Sequence, residues 1–420
     1  TRFRISNQHE VAVHPANHRP QNTVLQKTST MKITDVRAYV VEPFTWEWAG
    51  ITRPLRWMFL RIDTDEGITG WGEGSSFPHH GSEMVGLGAL AAKELLIGQD
   101  PTNIEVLWQK MFRRHTSVGA RGITSAVVSA VDIALWDITG KAAGKPVYEL
   151  LGGKMRDDVD MYANGWFDNC VTPEQYADAA RNVVLPAGHT ALKFDPFPEH
   201  EDGFLSGGLT EEGTEKASDI VKAVREVVGR NHEILIDAHG RFNVPTAVRL
   251  GNRLFDESNI GWFEEPVPAE SNAALELVRP QLRAPISVGE RLFTRFDFVE
   301  IFEKRLTDYV MPDICLAGGI SEMRKIANMA EAYHLPFSPH NAQGTLQIVS
   351  GAQLCMTLPN FYRLEHAMTH ISGYNRFLTE PLNFHDGKLT LSDKPGLGVE
   401  MDVEEIERSS IEIEWPENLN

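Results

Sequence analysis

The 420-residue chain is 42% hydrophobic and carries a formal charge of −18, enough apolar material for a large core and two domains. This acidic balance excludes nucleic acid and an anionic membrane surface as expected partners, but not an anionic small molecule held through a cation. The three cysteines have no paired spacing, so neither a disulfide framework nor a zinc ribbon is indicated.

No apolar run approaches the ~20 residues of a membrane span. The N-terminus has no charged start followed by an apolar core, and a soluble cytoplasmic protein is expected. Residues 1–30 are polar and aperiodic, which predicts an extension without its own core, disordered in solution. From Met31 the chain alternates like a strand. Pro43 to Pro54 reads as an exposed loop, on which Trp46 and Trp48 suit a lid touching substrate, or packing at a domain interface. The segment R-W-M-F-L-R-I-D-T-D-E-G-I-T-G-W-G-E, Arg56 to Glu73, predicts two strands about an Asp65-Glu66-Gly67 turn. Helical periodicity follows over Ser82–Leu96, Asn103–Arg114 and Thr124–Ala143. The last is apolar around most of its circumference and must be deeply buried, with Asp132 and Asp137 pairing or capping nearby groups. Residues 31–152 thus predict an α+β domain.

Beyond it, strands and helices alternate. A first strand covers Val159 to Gly165 and a second ends at Lys193 and Asp195, followed by a Pro-, Glu- and Gly-rich loop, Pro196 to Gly213. Short apolar runs then end in polar groups at Asp237, Glu264, Glu290, Asp313 and His340, in steps of 23 to 27 residues, and an eighth strand lies around Phe361 to Glu365. That step holds one strand, one helix and two loops, so residues 153–376 predict a (β/α)8-type barrel. Residues 377–420, with a His385-Asp386-Gly387 turn, are expected to return to the N-terminal domain.

Strand ends of such a barrel meet at one face. Asp237, Glu264 and Glu290 would converge there, and three carboxylates together are tolerable only around a cation. An all-oxygen set without Cys or clustered His favours Mg2+. Glu265 should face away from Glu264 on the strand and play a structural part. His239 lies on the same side as Asp237 if the strand persists. His340 and Asp313 end neighbouring strands, where a carboxylate on one ring nitrogen makes the other a better base. Lys193 can reach a substrate beside the cation. Arg241 can bind a substrate oxygen or pair with a carboxylate, and Glu365 can donate a hydrogen bond if protonated or balance a cation. His79, His80 and His115 lack such partners and read as surface or packing groups.

The motifs L-I-G-Q-D-P, A-V-D-I-A-L-W-D-I-T-G-K, D-A-H-G-R, W-F-E-E-P-V, G-E-R-L-F-T-R-F-D-F and P-D-I-C-L-A-G-G-I-S-E, together with Arg56 to Glu73, resemble the enolase superfamily, mandelate racemase subgroup. Within it the chain is similar to sugar-acid dehydratases of the galactonate dehydratase type, over Met31 to about Met401. The resemblance implies a capping domain on the barrel, Asp237, Glu264 and Glu290 as Mg2+ ligands, an Asp313–His340 dyad and His239 as second acid/base group. It also implies an acid-sugar substrate, with Asp195, Arg241, Trp46 and Trp48 near it, and a homo-oligomer. Racemases of the superfamily carry Lys-x-Lys at the second strand. Here Lys193-Phe194-Asp195 stands instead, which fits chemistry run by two histidines. Asn341 to Thr345 and the loops near Pro43 and Pro196 depart from the galactonate pattern, so gluconate and other hexonic or aldaric acids stay open. Two alternatives remain at this level. One is an epimerase or cycloisomerase sharing the first step; the other is a non-catalytic barrel relative acting as a binding protein.

Overall fold

The computed structural model describes residues 30–48, 51–76, 80–197 and 206–411. The extension at 1–29, His79, and the middle of the loop after Pro196 lie outside the described residues. So do the side chains of Trp46 and Trp48.

In the N-terminal domain, β1 (Ile33–Val41), β4 (Trp57–Thr64) and β5 (Thr69–Glu73) form an antiparallel sheet in the order β1-β4-β5. Between them β2 (Thr45–Trp48) and β3 (Ile51–Pro54) pair as an antiparallel hairpin where a loop was expected. The alternating T-W-E-W and the β-branched start of β3 account for that difference. Helices α1 (Gly81–Ala91), α2 (Ile104–Arg114) and α3 (Ile123–Ala143) follow. The sheet lies directly on α3: a Cβ at Gly70 would stand 2.3 Å from the Ala134 carbonyl oxygen, and one at Gly72 only 2.0 Å from that of Ala130. By length and composition α3 could cross a membrane, contrary to the expectation that no run comes close. However, 78% of its apolar window is buried inside the protein, as its all-round hydrophobicity requires. Asp132 accepts from the Ser321 N–H at 3.0 Å, while Asp137 accepts from the Trp71 and Leu397 N–H groups and pairs with Lys141 at 2.7 Å. Both buried acids therefore tie α3 to its neighbours.

The barrel strands are β6 (Val159–Asn164), β7 (Ala191–Phe194), β8 (Glu233–Asp237), β9 (Trp262–Glu264), β10 (Ile286–Val288), β11 (Tyr309–Val310) and β12 (Leu364–Ala367). Each from β6 to β11 pairs in parallel with the next, and β12 pairs in parallel with β6. The seventh strand, expected before His340, is reduced to isolated bridges, Val310↔Phe337 and Phe337↔Phe361, which still close the ring. Pro336 and Pro339 flank it and have no N–H to give a ladder.

The outer helices are α4 (Pro173–Ala179), α5 (Glu211–Val228), α6 (Val244–Ser258), α7 (Asn272–Val278), α8 (Thr294–Glu303), α9 (Gly319–Ala332) and α10 (Thr345–Cys355). Thr172, Thr210, Asn243 and Ser271 cap α4 to α7 by accepting a backbone N–H of the first turn. Helix α10 has only Gly344 at its N-cap.

In the tail, β13 (Asn383–His385) and β14 (Lys388–Thr390) turn at Asp386 and Gly387, both at positive φ, and β14 pairs with Val159 and Asp160 of the barrel. This part extends the barrel sheet instead of reaching the N-terminal domain. The chain after it does reach that domain, through a Val41↔Ser410 bridge and an Ile411 N–H bond to the Val40 carbonyl.

Candidate active site

Lys193, Asp195, Asp237, His239, Glu290 and His340 line one cavity of about 530 Å3, together with Leu55, Ser76 and Ile123 of the N-terminal domain, while Glu264, Asp313 and Glu365 are fully buried beside them. Asp237 ends β8 and Glu264 ends β9, while Glu290 follows β10 after Gly289, whose φ of +147° only glycine adopts easily. Each contributes one oxygen to a buried group whose atoms all lie within 4.8 Å of one another. Burial and the charge of Asp237 hold the Glu264 carboxyl well above its usual range, and burial also raises Glu290. Such a trio is unfavourable by itself and suits a hard divalent cation, whose charge removes the repulsion. The donor set fits.

Lys193 projects into the trio. Its Nζ donates to Glu264 at 2.8 Å and lies 3.1 Å from Asp237 and 3.0 Å from Glu365. Burial opposes its charge, but Glu264 and Glu365 outweigh that and raise its pKa well above the usual lysine value. Glu365 in turn accepts from the Asn164 amide and from the Asn341 N–H at 2.8 Å. Although burial favours its neutral form, Lys193 and His340 lower its pKa, so it balances a cation and does not stand as a protonated donor.

Two imidazoles flank the trio. His340 Nδ1 lies 2.7 Å from Asp313 Oδ2, and its Nε2 is 3.3 Å from Glu290. Burial alone would lower this ring, yet Glu290, Glu365 and Asp313 raise it to about 9. His239 comes in differently from the expected continuation of β8. The strand stops at Asp237, and His239 adopts a left-handed φ of +49°, its N–H bonded to Asp237 Oδ1 at 2.8 Å. Its Nδ1 lies 2.8 Å from Asp195 Oδ2 and its Nε2 3.4 Å from Asp237.

Asp195, at 2% exposure, turns its carboxylate to His239 and Arg241 and also accepts the Phe197 N–H at 2.9 Å. Arg241 is 3% exposed and donates to that carboxylate and to the Phe197 carbonyl at 3.1 Å. Arg241 is thus paired with a carboxylate, one of its two expected roles, and Asp195, expected at the substrate, lines the cavity and bonds to both His239 and Arg241. Glu265 does leave the cavity face, at φ +36°, and pairs with Arg291, which also lies 2.9 Å from Glu290. Asn164, Asn341 and Arg291 were not singled out from the sequence; their strand-end positions were the only signal.

This arrangement defines an enolase-type barrel with its N-terminal cap. The chain belongs to the mandelate racemase/muconate lactonizing enzyme family: residues 29–152 match that family's N-terminal domain, and residues 175–406 match the enolase C-terminal domain-like model. Enolase-superfamily members use a divalent metal, in keeping with the acid trio. Among similar proteins is the D-galactonate dehydratase of Pectobacterium atrosepticum, 34% identical over 92% of this chain and 96% of the relative. The D-gluconate dehydratase of Thermoproteus tenax is 33% identical over 84% of this chain and 69% of the relative. A crystal structure of a mandelate racemase/muconate lactonizing enzyme-like protein from Rubrobacter xylanophilus superposes with a TM-score of 0.80 at 34% identity, covering 91% of this chain and 98% of the other.

Proposed function

We propose that the protein is a Mg2+-dependent dehydratase of a sugar acid, a hydro-lyase that removes the C2 proton and the 3-hydroxyl to leave a 2-keto-3-deoxy acid. The observation that carries this reading is the pair of Asp–His dyads on opposite flanks of the acid trio, each with its outer Nε2 toward the cavity. Elimination of water needs one group to take a proton and another to give one to the leaving oxygen. The relatives named for galactonate and gluconate point to the substrate class, and these two acids differ only at C4.

Asp237, Glu264 and Glu290 would hold the cation, which supplies charge stabilisation for a carboxylate substrate as its C2 proton leaves. A His or Lys base beside Mg2+ is the known pattern of enolase-superfamily sites. With its charge shared by a cation, Glu290 would hold the His340 proton less firmly, which would leave Nε2 to accept the proton from C2. Asp313 keeps the ring's other proton on Nδ1. Lys193 sets a fixed positive charge against the enediolate. His239, oriented by Asp195, gives a proton to the 3-hydroxyl, so that the C3–O bond breaks and water leaves. The resulting enol takes a proton at C3 and becomes the ketone. Asp195 stands where the Lys-x-Lys pattern of racemases has its second lysine, which disfavours a lysine-histidine racemase.

The test is a panel of hexonic, pentonic and aldaric acids incubated with Mg2+ and assayed with semicarbazide for keto acid. At least one acid should yield keto acid in step with its own loss. In D2O, recovery of deuterated substrate without keto acid would turn the assignment to an epimerase, and no reaction or exchange with any acid would reject it.

A further inference from the structure

The base His340 is attached to the N-terminal domain by an unbroken line of buried hydrogen bonds. Helix α10 begins eleven residues of barrel structure with a glycine at its N-cap and therefore has no capping side chain of its own. The cap comes from β5 of the other domain. Glu73 Oε1 accepts the Gly344 N–H at 2.7 Å, and Oε2 accepts the N–H groups of Leu346 at 2.8 Å and Gln347 at 2.9 Å. These are the groups that a helix start leaves unsatisfied. The approach is close enough to demand glycine, since a Cβ at Gly344 would stand 2.5 Å from Glu73 Oε1 and 2.8 Å from the Trp57 ring.

Gln347, in that first turn, passes the restraint on. Its Nε2 donates to Asp313 Oδ2 at 2.7 Å, the same oxygen that lies 2.7 Å from His340 Nδ1. Its Oε1 accepts the Gln343 N–H at 2.6 Å, so the amide cannot flip without losing both bonds. Glu73, Gln347 and Asp313 are each fully buried.

We propose that Gln347 is a positioning residue for the Asp313–His340 dyad and that Glu73 acts through it, so that seating of the N-terminal domain on the barrel sets the geometry of the base. This rests on the reading of His340 as the group that takes the C2 proton. Asp313 has two acceptor oxygens, one already given to the Cys315 N–H at 2.7 Å. Without the Gln347 amide, Oδ2 keeps only the imidazole as partner, and the carboxylate plane is less firmly fixed against that ring. Without Glu73, three buried N–H groups at the start of α10 lose their acceptor and the turn carrying Gln347 shifts.

The experiment compares Gln347→Met, which keeps length but has no donor, with Glu73→Asp and the double variant. Gln347→Met should lower kcat about 10–100-fold, the range known for residues that orient a metal-binding histidine or carboxylate, with KM and Mg2+ affinity by calorimetry near wild type. Glu73→Asp should lower kcat less, and in the Gln347→Met background it should cost under about 2-fold more. Losses that multiply in the double variant would overturn the relay, as would an unchanged kcat in Gln347→Met. A second readout needs no substrate: the proton NMR signal of the His340 Nδ1–H, assigned by its loss in His340→Asn. It should move upfield and exchange faster in Gln347→Met. If that signal responds while no acid sugar is turned over, the relay stands and the functional reading fails; an unaltered signal rejects the relay itself.

Discussion

Replacing Lys193 by Met tests whether the site is held together by charge. Four buried carboxylates, Asp237, Glu264, Glu290 and Glu365, surround or adjoin a single ammonium that lies within 3.1 Å of three of them. Methionine keeps the aliphatic stem and removes the charge, leaving Arg291 and His340, both beside Glu290, as the nearest cationic groups. Breaking a buried ion pair by removing one partner costs about 3–5 kcal/mol, and here one cation serves three partners. A divalent ion stabilises either protein, by about 2.7 kcal/mol when present at 100 times its Kd, and stabilises the variant more because no ammonium competes with the ion for the carboxylates. Thermal melts of wild type and Lys193→Met, each in EDTA and in saturating Mg2+, read both effects. The variant should melt well below wild type in EDTA, and Mg2+ should narrow the gap. Equal melting in EDTA, or a gap indifferent to Mg2+, would refute this account of the charge balance.

Two further outcomes follow from the geometry. Asp195→Asn presents an amide to the donors of His239 and Arg241 and should lower kcat by about 10²–10⁴-fold, the range for one general acid/base group, while Mg2+ affinity by calorimetry holds; near-normal kcat would remove Asp195 from its orienting role. Acid stability should depend on His189 and His366, buried side by side with ring nitrogens 3.2 Å apart. Burial lowers them to about 4 and about 3, below the ordinary 6.5, so both are neutral in the fold. Their contribution is therefore complete above pH 6.5 and is lost as pH falls through the folded values. Melting temperature should drop between pH 6.5 and 4, and His366→Leu should flatten that slope; an equally steep slope in the variant would contradict it.

How much of this was readable beforehand depended on where each restraint comes from. Asp237, Glu264, Glu290 and the Asp313–His340 pair were legible because the βα period alone carries strand ends to one face. His239 reaches the cavity by another route, a left-handed turn after β8, which periodicity does not describe. The seventh strand looked as regular as its neighbours, yet two prolines strip its ladder. The bond between Asp195 and His239 was not legible, because it depends on side-chain direction at the ends of β7 and β8; the sequence placed Asp195 near substrate, and it lines the cavity. Glu73 and Gln347 were invisible for a related reason: they are 274 residues apart and meet only when the N-terminal domain lies on the barrel.

The most direct test of the central claim is the rate of keto-acid formation by His340→Asn under conditions where calorimetry shows Mg2+ bound. On the proposed division of work between the two dyads, turnover should fall by about 10²–10⁴-fold or more while the ion still binds. Dehydration at the wild-type rate by that variant would contradict the account.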